Sequence, residues 1–584
     1  MQVSLGKQVE SNLQRFADTP DRELFYYLIN SDEFPAILPR AKALVDRYLE
    51  LAQQLMTGAE QSSGPLQYFD YTPEAFEVRM MQLYQQSNTA QPEQPLSPKM
   101  LRYVLKQQAP EALLDGCWLQ NISLAANNHS EIIARLFHIY TQKIGDGDSA
   151  QHYGNLYRDM LRSAHIQLPE VNSRLFTTDV DIDDLSFQAP VFELALSLFS
   201  RPCLPEILGY TLGHFITGQA SILLEQEATL STRGIDSRYC SRHKKTEQIS
   251  KDAQWIMTTV MKYLADLDGP ELQEQWQRIW SGLVIHDCLN SNLRHAVREH
   301  LSTAQEKTPH QKMIEMVIAK APHARNMHRT KRFGKRLIND WFADEPFDAE
   351  GFLKALIASP YINLKSPEKS QLISRSVAFG GPMFRIFTDA EQRIMEEWVH
   401  SLSADASEEP ENPAEPVALN KPDVLPLAKA PLVSPDLGNY ANCKKRDLYY
   451  YLVNADLYPD ILPTARRVAQ QYFKDAATSM SRPRLPELQR FFVYSHDAFE
   501  SRIRNIYQSE TNSYKTLVGP STVPREIMVW FTQQYAAFTM VDGSWVQSIA
   551  KAGMSHTDIS ARLFRIYSDE VGNADIAMNH PNVY

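Results

Sequence analysis

The sequence of 584 residues predicts an all-α protein. Apolar residues recur at helical spacing: in the run from Ile559 to Tyr567 they fall at i, i+4, i+7 and i+8, on one face of a helix. A strand-like stretch at residues 173–187 is isolated and rich in aspartate, which is typical of a loop. Helix start signals recur along the chain; they are the pairs Thr72-Pro73 and Ser97-Pro98 and the capping box of Thr388 and Glu391.

The chain repeats itself. Residues 22–41 and 446–465 are identical at 12 of 20 positions, and residues 115–140 and 542–567 are identical at 14 of 26. Between these stretches, the segment that begins at Tyr68 resembles the one that begins at Phe491. Repeats of this length indicate duplicated domains, because solenoid units are much shorter, at about 20–50 residues. We therefore expect one whole copy of a unit, followed by its first third.

A proline-rich stretch separates the two copies. It contains seven prolines and few large apolar side chains, a composition that favours an extended tether. We call residues 1–402 the first copy and residues 439–584 the second copy, and we expect the second to be cut short before its bundle is complete. The predicted divisions are a helical cap at 1–95, a bundle at 96–270, a helical extension at 271–402, the linker at 403–438 and the partial copy at 439–584.

The composition is that of a globular protein, with 43% apolar and 22% charged residues. A net charge of −11 disfavours non-specific binding to nucleic acid or to anionic membranes. The sequence has no apolar run of membrane-spanning length and no signal-peptide pattern at its start. Its five cysteines form no CxxC pair, which indicates reduced thiols without a zinc site. These features predict a soluble, cytoplasmic protein.

One segment of the second copy carries metal-binding chemistry. Glu570 is predicted to end a helix that Gly572 interrupts, and His580 follows ten residues after the glutamate. A break and re-entry of the chain could bring the carboxylate and the imidazole together, a ligand pair that suits iron. On spacing alone, an exposed glutamate at a helix end and an ordinary histidine before Pro581 are the better explanation of the pattern.

Several motifs resemble the iron-containing redox enzymes of the haem-oxygenase-like diiron oxidase superfamily. They are DGSWVQ, ARLFRIYSDEVGN and NH in the second copy, LPEILG from Leu204 and GGPMFRIFT from Gly380. The resemblance covers nearly all of both copies. It implies a seven-helix bundle that holds two non-haem irons and uses O₂ to oxidise a small molecule. It also implies that Glu570 and His580 are metal ligands, with Asp542 as a further candidate.

The first copy departs from this pattern. Its counterpart of Glu570 is Lys143, whose ammonium has no lone pair to offer a metal. The family's late motif of two histidines and an aspartate is incomplete, because Glu247 replaces the aspartate and Ser250 or Lys251 replaces the second histidine. Nearby lysines add positive charge that opposes the binding of cations. The first copy is therefore expected to be a pseudoenzyme domain that binds one metal at most. Its candidate ligands by resemblance are His152, His214, His243 and Glu247.

Two functional hypotheses follow. The first is an O₂-dependent, iron-containing oxidase whose first copy is inactive and whose second copy contributes the metal ligands. The second is a non-catalytic scaffold or binding protein that uses the same bundle as a pocket or a dimer surface. The first hypothesis implies a small-molecule substrate and O₂ as partners, with neither nucleic acid nor membrane, and it leaves a homodimer open.

Overall fold

The structure is a computed structural model in which helices dominate. The only strands among the described residues are the two-residue segments Arg332–Phe333 and Arg336–Leu337, which pair antiparallel. The all-α prediction is therefore confirmed for the part of the chain that the structure describes. That part comprises residues 16, 19–57, 66–88, 95–218, 222–243, 249–304, 308–324, 327–328, 330–344, 347–377, 381–383, 386–404, 440, 442–458, 461–480, 490–513 and 522–584.

The helices of the first copy begin where the sequence places capping residues. The Ser97 hydroxyl accepts a hydrogen bond from the Met100 amide, and the Thr72 hydroxyl accepts one from Ala75. The helices up to residue 304 are α1 (Asp21–Ile29), α2 (Leu38–Thr57), α3 (Pro73–Asn88), α4 (Pro98–Ala112), α5 (Glu131–Lys143), α6 (Tyr153–Ser163), α7 (Arg174–Thr177), α8 (Gln188–Ser197), α9 (Leu204–Ile216), α10 (Ile222–Glu225), α11 (Glu227–Thr232), α12 (Arg238–His243), α13 (Lys251–Leu264) and α14 (Gly269–Ala304), with 3-10 turns at Pro35–Ile37, Cys117–Leu119, Ser149–Gln151 and Asp184–Phe187.

The helices of the second copy begin and end at matching positions. They are α19 (Lys445–Val453), α20 (Leu462–Met480), α21 (His496–Ser513), α22 (Arg525–Thr539), α23 (Asp558–Glu570) and α24 (His580–Val583), with a 3-10 turn at Ser544–Val546. Helix α23 corresponds to α5 residue for residue, at a constant offset of 427, and α24 begins at the counterpart of the first residue of α6. From α4 and α22 onward, a single numbering offset of 427 therefore relates the residues of the two copies.

The chain forms two compact units, and both copies contribute to the first, which comprises Met1–His295 and Pro426–Tyr584. The second unit, Ala296–Leu425, has its own core around Leu353, Met395 and Trp398. Its last helix starts at the predicted capping box, in which Thr388 and Glu391 exchange hydrogen bonds. Its elements are α15 (Pro309–Ala324), α16 (Ile338–Phe342), α17 (Ala349–Ile357), a 3-10 turn at Pro367–Lys369, a π-helical turn at Leu372–Ser376 and α18 (Asp389–Ala404).

The predicted linker at 403–438 lies almost wholly outside the described residues, apart from the end of α18 at Ala404. None of the described helices has the combination of length and apolar composition that crossing a bilayer requires.

Within the first unit, the two copies contact each other in a symmetric way. The aromatic rings of Phe137 and its counterpart Phe564 pack together, 5.6 Å apart. Around this pair, several hydrogen bonds from a residue of one copy to the other copy have an equivalent between the two counterpart residues. This is the pattern of an isologous, twofold-related interface. The reciprocal hydrogen bonds are Gln120 with Ala552 and Gln547 with Ala125, Tyr140 with Ala550 and Tyr567 with Ser123, Asn155 with His556 and Asn582 with His129, and His152 with Ser555 and Asn579 with Asn128.

The two copies differ in how deeply their helices are buried. Val104 on α4 is fully buried, whereas its counterpart Phe531 on α22 is 53% exposed. The helices α8, α9 and α13 of the first copy have no counterpart in the described part of the second. As a result, α22 presents a row of large apolar side chains to the solvent, namely Ile527, Met528, Val529, Trp530, Phe531, Tyr535 and Phe538.

Candidate functional site

The structure brings three predicted residues of the second copy together. One ligand atom from each of Asp542, Glu570 and His580 lies within 4.8 Å of the other two, and no other such group of three occurs among the described residues. The Nδ1 atom of His580 lies 2.5 Å from Glu570 Oε2 and 3.3 Å from Asp542 Oδ2. We call these three residues the open triad, because the His580 side chain is 49% exposed.

Local backbone geometry positions the open triad. Asp542 follows α22, and the next residue, Gly543, has φ +75°, a left-handed conformation that favours glycine. A Cβ on Gly543 would lie 2.8 Å from the Glu570 Cβ, so only a residue without a side chain lets the turn lie this close to α23. Glu570 is the last residue of α23, and Gly572 (φ +81°) turns the chain so that His580 comes back to it. The predicted break and re-entry is therefore present.

The counterpart residues of the first copy form a closed cluster. Asp115, Lys143 and Tyr153 occupy the positions of Asp542, Glu570 and His580, each 427 residues earlier. Gly116 has φ +92°, and its Cβ would meet the Lys143 Cβ at 2.9 Å, as Gly543 would meet Glu570. The same turn therefore packs against the same helical position in both copies.

Lys143 lies at the centre of this cluster. Its Nζ is 3.0 Å from Asp115 Oδ1 and 2.9 Å from His214 Nε2. The second oxygen of Asp115 is 2.7 Å from His243 Nε2, and the Tyr239 hydroxyl also donates to it. We call Asp115, Lys143, His214 and His243 the lysine site. The side chains of Asp115 and Lys143 are 0% and 4% exposed, so an intact ion pair is buried here.

The charges of the lysine site shift its pKa values. Burial alone would raise the pKa of Asp115, but the Lys143 ammonium and His243 outweigh burial and hold that pKa well below its usual range. Burial, reinforced by the same ammonium, lowers the pKa of His214 and of His243. Both imidazoles are therefore neutral at pH 7. Because an ammonium can only donate hydrogen bonds, His214 Nε2 must be the acceptor, and its lone pair faces the cation.

The remaining candidates of the first copy lie elsewhere. His152 is buried, but its Nε2 contacts the Ser555 hydroxyl of the second copy at 2.9 Å and takes no part in the lysine site. It is the counterpart of Asn579, which occupies the same helix-capping position. Glu247 lies outside the described residues. Of the three candidate ligands of the first copy that the structure describes, His214 and His243 meet in one place and His152 does not.

Neither Asp115 nor Tyr153 is among the candidates predicted from the sequence. Asp115 was detectable, because the repeat aligns it with the candidate ligand Asp542. Tyr153 was hidden by the neighbouring His152, whose residue type suggested that it was the counterpart of His580. Glu193, a second buried polar group, was also not predicted from the sequence. Its carboxylate accepts a hydrogen bond from the Tyr210 hydroxyl and lies close to Cys117. Burial and nearby Glu111 raise the pKa of Glu193 well above the usual range.

Comparisons of this chain with protein-family models, with curated proteins and with solved structures found no match.

Proposed function

We propose that this chain is a two-copy protein of the haem-oxygenase-like diiron oxidase type, in which the second copy contributes metal ligands and the first is a pseudoenzyme. The observation that carries the proposal is the convergence of Asp542, Glu570 and His580. Asp542 lies 28 residues before Glu570 and His580 lies ten residues after it, and a turn, the end of α23 and the start of α24 bring the three side chains to one point. The first copy has equivalent left-handed glycines, so what distinguishes the second copy is the set of side chains at this point.

The donor set of the open triad fits a non-haem iron. Two carboxylates and one imidazole are hard to borderline ligands, of the kind that bind iron and similar divalent ions. Asp542 and Glu570 would supply oxygen ligands, and His580 a nitrogen ligand. Bound iron would activate O₂ for the oxidation of a small molecule. Further ligands would be needed for two irons, and in the first copy the corresponding positions are held by His214 on α9 and His243 on α12.

Neighbouring parts of the chain hold two side chains of the open triad, Glu570 and His580, in position. Glu570 is only 19% exposed on its side chain, so α23 limits the directions from which its carboxylate can be approached. The reciprocal bond between Asn579 and Asn128 fixes the start of α24, and this orients the neighbouring His580. The five thiols are free, which suits the proposed cytoplasmic location.

Metal titration of the full chain tests the proposal. Anaerobic Fe(II) should bind to the wild-type protein and be lost in Glu570→Ala, because the substitution removes one of three ligands. Asp569→Ala is the matched control, since it deletes the neighbouring exposed carboxylate, which bonds to Asn573 and lies outside the triad. Equal Fe(II) binding by wild type and Glu570→Ala would contradict the metal assignment.

The lysine site favours a second function for the first copy, namely that of a non-catalytic scaffold. An ammonium at the centre of the ligand cluster opposes the binding of further cations. The role of this scaffold would be to hold α23 and α24 of the second copy in place through the reciprocal hydrogen bonds. Homodimerisation stays a prediction.

A further inference from the structure

We propose that the first copy keeps a divalent-cation pocket that its own Lys143 fills, and that replacing this lysine by glutamate opens the pocket to a metal ion. The inference concerns a site in the first copy, and it rests on the proposed function where it uses Glu570 and His580 of the second copy as the pattern for the substitutions.

The composition of the lysine site is the first argument. Around the Lys143 ammonium lie one carboxylate, Asp115, and the imidazole of His214, while His243 holds the other carboxylate oxygen. A carboxylate and an imidazole are both ligand types of non-haem iron sites, and His243 would orient the carboxylate through its other oxygen. Buried ions in proteins are paired or bind metals, so a cation of some kind is required beside the buried Asp115.

The position of the two candidate ligand atoms is the second argument. His214 Nε2 accepts a hydrogen bond from the ammonium at 2.9 Å, and Asp115 Oδ1 lies 3.0 Å from the same nitrogen. An imidazole nitrogen and a carboxylate oxygen therefore already border one positively charged point. A metal would require this shell to contract, because metal–nitrogen and metal–oxygen bonds are about 2.0–2.2 Å long.

Side-chain length is the third argument. The carboxylate oxygen of a glutamate corresponds to the Cε atom of a lysine, one bond short of Nζ. A metal ion bound to that oxygen would lie close to the present position of the Lys143 ammonium. The second copy already has glutamate at this position, Glu570, on a helix with identical bounds and beside an equivalent left-handed glycine.

Tyr153 supplies the fourth argument. The Lys143 ammonium lies 4.7 Å from the centre of the Tyr153 ring, so this side chain already borders the cation. Its counterpart in the open triad is His580. The double substitution Lys143→Glu and Tyr153→His therefore transfers the ligands of the open triad into the first copy.

The experiment uses the full chain with Glu570→Ala as background, so that metal bound by the second copy does not interfere. Co(II) is the probe, measured by its visible absorption and by titration calorimetry. We expect Lys143→Glu to bind one equivalent of Co(II) more than the background, with higher affinity when Tyr153→His is added. Lys143→Met, which removes the charge without supplying a ligand, should gain much weaker binding or none.

A second measurement covers the case in which Lys143→Glu unfolds. The variant places two carboxylates in a buried site, so it should be less stable without metal and should regain its helical circular dichroism when Co(II) is added. The proposal is overturned if Lys143→Glu folds but binds no more Co(II) than the background. It is also overturned if the variant fails to fold with Co(II) present while Lys143→Met folds.

Discussion

The lysine site and the open triad are built on one backbone design and have opposite chemistry. In each copy a left-handed glycine lets an aspartate turn lie against the end of a helix, and α5 and α23 have matching bounds. In the first copy the helix ends in Lys143, and the cation is part of the protein. In the second copy the helix ends in Glu570, and a bound cation would have to supply the positive charge. A single residue at the end of one helix therefore sets the charge of the whole site.

The largest effect should come from breaking the internal ion pair. Lys143→Met leaves Asp115 charged and buried, and we expect a loss of about 3–5 kcal/mol in the free energy of unfolding at pH 8. Glu570→Ala in the more open second copy should cost about 1 kcal/mol or less. Urea unfolding followed by tryptophan fluorescence measures both, since Trp118 packs 4.8 Å from the His214 ring. Equal losses would remove the distinction between the sites.

The interface between the copies should weaken in acid. Burial, together with Arg158 and His556, lowers the pKa of His152 to about 3, although Asp115 acts in the opposite direction. A folded-state pKa below the unfolded value of about 6.5 means that the unfolded chain binds the proton first. The contribution of neutral His152 to the free energy of unfolding is therefore fully present above about pH 6.5. It decreases as the pH falls toward 3, by up to about 1.4 kcal/mol per pH unit.

His152→Asn tests the acid dependence, because the symmetric position in the second copy is Asn579. The variant places at the N-cap of α6 the residue type that caps α24, and it should show a shallower decrease of thermal midpoint between pH 6.5 and 4. An unchanged slope would assign the acid sensitivity to other groups, of which His556, with a pKa of about 4, is the first to examine.

Gly116 and Gly543, the left-handed glycines at equivalent positions, allow a further comparison of the lysine site with the open triad. Gly116→Ala should cost about 1–2 kcal/mol for the left-handed backbone, plus a clash with the Lys143 Cβ at 2.9 Å. Gly543→Ala meets the Glu570 Cβ at 2.8 Å, but its neighbour lies in a more open site and can shift. We expect the loss to be larger at Gly116. Thermal denaturation of the two variants gives the order, and the reverse order would contradict the view that the first site is the tighter one.

The smallest effect concerns the reciprocal hydrogen bonds. The side chain of Gln547 accepts from the Ala125 amide, and that of Gln120 accepts from the Ala552 amide while also donating to Ser197. Substitution of either glutamine by alanine should cost about 1 kcal/mol, with the greater loss at Gln120 because it makes the additional bond. Denaturant midpoints of the two variants measure the difference. No loss at either position would show that these contacts do not hold the copies together.

Much of the helical architecture could be predicted from the sequence. The caps at Ser97 and Thr72 and the capping box at Thr388 lie where the residue types indicate, because such capping depends on a few neighbouring residues. The return of His580 to Glu570 was stated as a possibility, and the left-handed Gly572 is the local feature that permits it.

The lysine site could be predicted only in part. The sequence indicates that Lys143 is incompatible with a metal ligand, but it does not reveal that the ammonium lies between Asp115 and His214. That arrangement depends on the packing of α5 against elements more than 70 residues away, which helical periodicity does not report. Likewise, His152 was taken for a ligand because of its residue type, whereas the interface between the copies determines what it contacts.

The most direct measurement is the location of bound metal in crystals of the full chain soaked with Co(II), by anomalous scattering at the cobalt edge. The account predicts a cobalt peak between Asp542, Glu570 and His580, and none beside Lys143. A peak between Asp115 and His214 in the wild-type protein, or the absence of a peak at the open triad at saturating Co(II), would contradict it.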